Sequence, residues 1–157
     1  MHISAKVDYG LRALLELSAS YDTDPEALLT ADTIAERQGL PVKFLEGILR
    51  QLRGEGIVVA KRGAVGGYRL ALPPREIALA DVVRHLDGPL ADIHGERPED
   101  TEYLGPAEHL IDVWVALRAA MRDVLESTSL HDVQRGRLNP TVRRLLDRPD
   151  AWVRRIS

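Results

Sequence analysis

Residues 41–70 read PVKFLEGILRQLRGEGIVVAKRGAVGGYRL, and this stretch decides the fold. Leu45, Ile48, Leu49 and Leu52 recur at i, i+3, i+4 and i+7, which is one face of an amphipathic helix. Lys43, Glu46, Gly47 and Arg50 take the other face. Gly54 and Gly56 are expected to close the helix and turn the chain. Ile57-Val58-Val59 then reads as a strand, residues 61–67 as a basic, glycine-rich tip, and residues 68–72 as the returning strand. A helix with a basic outer face followed by a short hairpin with a basic tip has the pattern of a winged helix-turn-helix. The helix is sized for a major groove and the hairpin for the backbone or minor groove beside it.

Just upstream, Thr30 is placed to cap a short helix over 31–38, with Asp32 in its first turn. Ala31, Ile34 and Ala35 face inward, Gly39 ends the helix, and Pro41 opens the next one where its missing N–H costs nothing. Helix, glycine turn, helix is the helix-turn-helix arrangement. A generic helical hairpin shares that much, and the basic hairpin downstream separates the two. Gly47 costs about 1 kcal/mol relative to alanine inside a helix. It lies on the polar face, so it marks either close approach of the helix backbone to DNA or drift at a tolerant surface site. Gly63, Gly66 and Gly67 do not form a phosphate-binding P-loop. The following Lys-Ser/Thr is absent, and the loop joins two strands. Glycines there allow positive φ and close backbone approach.

Toward the N-terminus, residues 3–20 predict a helix capped by Ser4, with Ile3, Val7, Leu11, Leu14, Leu15 and Ser18 in one stripe. Lys6, in its first turn, is either solvated or set on a phosphate. Residues 21–29 read as a loop. Downstream, residues 79–87 predict a helix that packs back on the winged unit through Leu79, Val82, Val83 and Leu86, with His85 at the boundary. Residues 88–106 form a long acidic connection, in which His94 and its acidic neighbours match no metal-ligand spacing.

From 107 to about 127 runs what reads as the longest helix. Leu110, Trp114, Leu117, Met121 and Val124 step by 4, 3, 4, 3, a coiled-coil-like seam. Ile111, Val113, Val115, Ala116, Ala120 and Leu125 widen it, so the helix needs a second apolar surface, either the same helix of a second subunit or its own core. Ser129 is placed to cap a helix over 130–134, and Asn139-Pro140 to open one over 141–147. Residues 150–156 are basic, with Arg154 and Arg155, and end in a short helix or a frayed tail. The expected organisation is mostly α with a small β-hairpin wing. Residues 1–87 make the winged domain, 88–106 the acidic loop, 107–135 the dimerisation helix with a short helix, and 136–157 a basic helical tail.

The 157 residues carry a net charge of −3, which hides a split. Residues 37–75 hold eight basic side chains against Glu46 and Glu55, whereas residues 87–112 hold eight acidic ones against Arg97. A phosphate backbone responds to the local field within a Debye length, so the split matters more than the sum. There is no cysteine, which removes disulfides, thiolate catalysis and cysteine-ligated zinc or iron. No apolar run approaches the roughly 20 residues of a membrane helix, and Lys6, Asp8, Arg12 and Glu16 interrupt any signal-peptide pattern. A cytoplasmic protein is the expectation. No G-x-S-x-G, HExxH or P-loop is present, and His2, His85, His94, His109 and His131 are scattered, so an enzyme is not expected.

The sequence resembles the Rrf-two family of bacterial winged-helix regulators, the group that includes IscR and NsrR, over residues 1–135 or so. The most specific matches are Phe44-Leu45-Glu46 with Ile48-Leu49 and Leu52, then Lys61-Arg62-Gly63 with Gly66-Gly67-Tyr68-Arg69-Leu70. Tyr9-Gly10-Leu11-Arg12-Ala13, Asp32-Thr33-Ile34-Ala35, residues 79–83 and Ser129-Leu130 support them. The resemblance implies a homodimer that binds a roughly palindromic operator in double-stranded DNA and usually represses. It implies base reading by Lys43, Phe44 and Glu46 on the recognition helix and by Arg62 in the wing. A glutamate there accepts from cytosine N4, and a wing arginine suits a narrow minor groove. Lys6, Arg50 and Lys61 are the phosphate-contact expectations. Two departures stand out. Gly47 replaces a frequent base-reading Gln, and the segment from Leu90 to Glu108 lacks the three cysteines of cluster-binding members. Asp8 lies where some members complete a cluster with a carboxylate, and without cysteines its expected role is structural. A cluster-free regulator with a small-molecule or protein effector, and no cofactor, is the leading expectation. A small molecule between the long helix and the winged domain, near Trp114 and the 88–106 loop, is one form of it. The alternative is a protein-interaction module that docks a partner or enzyme, with DNA binding secondary.

Overall fold

In the computed structural model, which describes residues 2–154, the helices are α1 (Ala5–Thr23), α2 (Ala31–Gln38), α3 (Val42–Gly54), α4 (Leu79–Asp87), α5 (Leu110–Leu125), α6 (Leu130–Arg135) and α7 (Pro140–Leu146). Strands β1 (Val58–Lys61) and β2 (Gly67–Leu70) form an antiparallel hairpin between α3 and α4, pairing Val58 with Leu70 and Lys61 with Gly67. Arg155 lies outside the described residues, and residues 151–154 add no helix after α7.

The apolar stripe of α3 is fully used. Leu45, Ile48, Leu49 and Leu52 are buried together with Leu14 and Leu17 of α1, Ile34 of α2, and Leu86 of α4. A fully buried leucine side chain contributes about 1.5–3 kcal/mol, so this one face holds α3 to three neighbours. The caps sit where the sequence puts them. Thr30 Oγ1 accepts from the Thr33 N–H at 3.1 Å, and Gly39 takes the left-handed conformation (φ 63°) that a side chain resists. Asn139 caps α7 through the Val142 N–H. Ser129 and Asp132 form a reciprocal capping box at α6. The Ser129 hydroxyl and N–H both donate to the Asp132 carboxylate, at 2.7 and 2.8 Å, and hold it below the usual carboxylate range.

Several expected boundaries move. α1 continues through Thr23, closed by the Asp24 N–H on Ser20 O, because polar residues there lie on the solvent side and need no loop. With 19 residues it is longer than α5, which has 16, so α5 is not the longest helix. Ser4 caps α1 as expected, which leaves Ile3 outside the helix and 69% exposed. The buried face is broader than the expected stripe. Gly10, Ala13 and Leu17 join Val7, Leu14 and Ser18, since α3, α4 and α6 all pack on α1. At Gly10 the neighbours come close, and a methyl group there would sit 2.5 Å from Leu86 Cδ1. After α3, Gly56 (φ 74°) makes the left-handed turn, while Gly54 is the last helical residue. The strand pair is shifted, with Ile57 buried ahead of β1 and Leu72 exposed beyond β2.

Two packing relations lie beyond the reach of local patterns. Leu29 exchanges two backbone hydrogen bonds with Tyr68 (2.9 and 2.7 Å), adding a third extended segment to the hairpin. Leu130 of α6 is fully buried in the same core as Leu14, while Gln134 accepts from the buried Ser18 hydroxyl at 2.5 Å.

Candidate nucleic-acid interface

The outward face of α3 presents Lys43, Phe44, Glu46, Gly47 and Arg50, all exposed. A network of side chains fixes its orientation. Arg12 of α1 donates to Gln38 Oε1 at 3.2 Å and to the Gln38 carbonyl, while Gln38 Nε2 donates to Glu16 at 2.5 Å, so the turn between α2 and α3 is tied to α1. At the other end, Gln51 Nε2 donates to the His85 carbonyl at 2.6 Å and His85 meets Glu55 at 3.1 Å, tying α3 to α4. Phe44 is 46% exposed, and its ring stands edge-on to Tyr9, centroids 5.7 Å apart and planes at 83°. Tyr9 therefore aims Phe44 outward, a positioning role that α3 alone did not reveal.

The wing is built on glycine geometry. At Gly66 a side chain would meet Lys61 O at 2.2 Å and Gly63 O at 2.9 Å, so the tip can close only without one. Gly67 (φ 149°) packs against Leu29 O, which a Cβ would approach to 2.7 Å. Gly63 (φ 110°) has open space around it and is required by its conformation alone. Lys61 and Arg62 project into solvent from this closed tip.

Wing, recognition helix and the start of α2 meet around a cleft of about 380 Å³. Glu46, Arg50, Lys61, Arg62, Gly63, Gly66 and Gly67 all line it. Arg53, Thr30 and Asp32 line it too, and reading single elements did not bring them there. Lys43, Phe44 and Gly47 lie on the same exposed helix face without lining the cleft. Lys6 sits in the first turn of α1, 3.8 Å from Asp87. An exposed pair of that length is weak and exchangeable.

Many arginines elsewhere on the surface are neutralised, whereas the cations of this face are not. Arg12, Arg37, Arg69, Arg84, Arg118 and Arg135 each meet a carboxylate. Lys43, Arg50, Arg53, Lys61 and Arg62 have no ion pair among the described residues. Five unneutralised cations on a helix face and an adjacent hairpin can donate to phosphate oxygens without first losing an internal partner. Around Gly47 a Cβ would touch nothing within 4 Å, so packing does not demand glycine. Gly47→Ala is expected to stabilise the fold by about 1 kcal/mol, read as a higher melting temperature, and to weaken DNA binding. An unchanged affinity by fluorescence anisotropy would show that DNA does not approach the helix backbone there.

The five seam residues of α5 divide between two surroundings. Trp114 is half-buried and donates to the Tyr103 hydroxyl at 3.1 Å. Met121 and Val124 are also half-buried, and both border an apolar cleft formed with Val7, Leu11 and Val83. Leu110 and Leu117 are exposed (40% and 44%), and Val113, outside the seam, is 55% exposed. No residue of α5 is fully buried. The outward face therefore runs through Leu110, Val113 and Leu117.

Comparisons with known proteins agree with this architecture. The family profile Rrf2, described as "Iron-dependent Transcriptional regulator", matches residues 3–136. A Mycobacterium tuberculosis protein named as an HTH-type transcriptional regulator is 44% identical over 147 residues, covering 94% of this chain and 89% of its own. CymR of Bacillus subtilis, an HTH-type transcriptional regulator, is 37% identical over 133 residues (85% and 89%). The solved structure of CymR, described as the global cysteine regulator of B. subtilis, superposes with a TM-score of 0.72 at 32% identity, over 87% of this chain and 98% of that one. T. potens IscR gives 0.68 at 31% identity, over 87% and 88%. The iron of the family description finds no matching donors here. The chain has no cysteine, and among the described residues no three His, Asp or Glu side chains converge to hold an ion.

Proposed function

The chain belongs to the Rrf2 family of winged helix-turn-helix transcriptional regulators, and from that footing we propose that it represses transcription as a homodimer bound to a two-fold symmetric operator, with a switch that uses no iron–sulfur cluster. The observation that carries this reading is the convergence of unpaired Arg50, Arg53, Lys61 and Arg62 on one cleft between an exposed recognition helix and a closed wing. Lys43, Phe44 and Glu46 enter the major groove. Glu46 accepts from a cytosine N4 amino group and Phe44 meets a thymine methyl. Arg62 lies in the neighbouring minor groove, while Lys6, Arg50 and Lys61 take phosphates. The exposed apolar face of α5 supports the second subunit. Two copies would place two recognition helices on half-sites one or more helical turns apart.

Selection of bound duplexes from a genomic DNA pool tests this directly. Enrichment of a site with two inverted half-sites is the expected result, and promoters that overlap the site fit repression. No enrichment at low salt, where phosphate contacts are strongest, would overturn the reading.

A further inference from the structure

Away from the winged face, four arginines close on one cleft. Arg84 stands on α4, Arg97 precedes a 3-10 turn at 98–100, and Arg118 and Arg122 lie a turn apart on α5. With Gly88, Pro89, Leu90 and Ala91 they line a cavity of about 370 Å³ whose wall contains no carboxylate. This gathering falls beside the most acidic stretch of the chain. Carboxylates answer the charge only in part, and from outside the wall. Glu99 meets Arg118 at 2.7 Å and Asp81 meets Arg84 at 3.3 Å. Glu126 joins Arg84 to Arg122. Arg97 has no ion pair among the described residues and acts on Glu99 through its field alone.

Four guanidiniums against three carboxylates leave an excess of positive charge. The donors are also underused. Arg118 is held deep, with 13% of its side chain exposed, and Glu99 takes one of its terminal nitrogens, whereas a guanidinium offers five N–H groups in a planar fork. Forks of this kind match phosphate and carboxylate oxygens two at a time. The volume is in the range of small-molecule sites.

We propose that this cleft is the effector site, and that its ligand is a small oxyanion carrying a phosphate or at least two carboxylates. Arg84 belongs to α4, which packs on α1 and α3 of the winged unit, whereas Arg118 and Arg122 belong to α5. An anion held by both helices takes over the bridge that Glu126 makes between them and so resets how the recognition helices are spaced. The coupling to DNA rests on the regulator reading above. The binding does not.

The test is calorimetric titration of the free full chain with inorganic phosphate and, separately, with citrate, against sodium chloride at matched ionic strength. The expected result is saturable binding of one probe, weakened about tenfold or more in Arg97→Gln and in Arg118→Gln, the loss of a charge-assisted hydrogen bond. Arg97 is exposed, so its variant keeps the fold even if Arg118→Gln does not. Binding of phosphate alone assigns a phosphorylated ligand, and binding of citrate alone a polycarboxylate. Heats equal to those of chloride, or binding that survives Arg97→Gln, overturn the site. Operator affinity is then measured with the bound probe at saturation. A change of about fivefold or more is expected, and an unchanged affinity overturns the effector role. No DNA is present in the titration, so its failure is distinct from failure of the regulator reading.

Discussion

Replacing Lys61 and Arg62 together by alanine is expected to lower operator affinity by about a hundredfold, with no change in melting temperature or subunit number. Each is exposed and has no ion pair among the described residues, so nothing in the fold is released by removing it. The wing keeps its shape because Gly66, Gly67 and the Leu29–Tyr68 bridge hold it, none of which involves either side chain. An exposed, salt-screened charge contact contributes about 0.7 kcal/mol, and a symmetric complex uses each residue twice, so the four contacts together account for the hundredfold. The signature is in the salt dependence. Each lost phosphate contact flattens the log–log slope by about 0.9, so a variant that loses affinity at constant slope has been damaged elsewhere. An unaltered slope together with unaltered affinity would remove the wing from the interface. A partner-protein complex that persisted in such a variant would then favour the docking module.

The helix-turn-helix was legible because its determinants are local. Thr30, Gly39 and the stripe of α3 each report on residues within two turns, and all three act as their chemistry requires. The wing was legible for the same reason, although its glycines turn out to serve two ends. Gly66 and Gly67 are fixed by neighbouring backbone, which a sequence pattern cannot distinguish from a need for DNA approach. What stayed hidden is non-local. Leu29 sits in a polar stretch with no alternation, and its pairing with Tyr68 spans thirty-nine residues. Arg84, Arg97, Arg118 and Arg122 are spread over three segments, two of them on helices whose apolar faces dominated the reading. The seam of α5 illustrates a third limit. A 4-3-4-3 spacing says which residues share a face, but Trp114 is claimed by Tyr103 and Met121 by the cleft beside α1, so the periodicity alone does not say which surface the face meets.

The second large effect is expected on α5. Val113→Asp with Leu117→Asp should convert the protein to a monomer and lower affinity for the full operator by about a hundredfold to ten-thousandfold, the loss of linked half-sites. Neither position supports the fold, since both are well exposed. A helix with no buried residue and with Leu110, Val113 and Leu117 in one exposed row has little reason to persist in water by itself. A two-fold interface brings each patch against its own copy, so two aspartates per chain become four facing charges with no water to solvate them. Sedimentation velocity measures the first consequence. A double variant that remained dimeric would place the interface elsewhere, and a wild-type chain that sedimented as a monomer would remove it altogether. Anisotropy titrations on half-site and full-site duplexes measure the second. Half-site affinity should be unchanged, because the recognition helix and wing are untouched, while the advantage of the full site disappears. That pattern separates the two large losses. The wing variant binds every duplex less tightly and with a flatter salt slope, whereas the α5 variant keeps the per-half-site slope and loses only what the second subunit contributed.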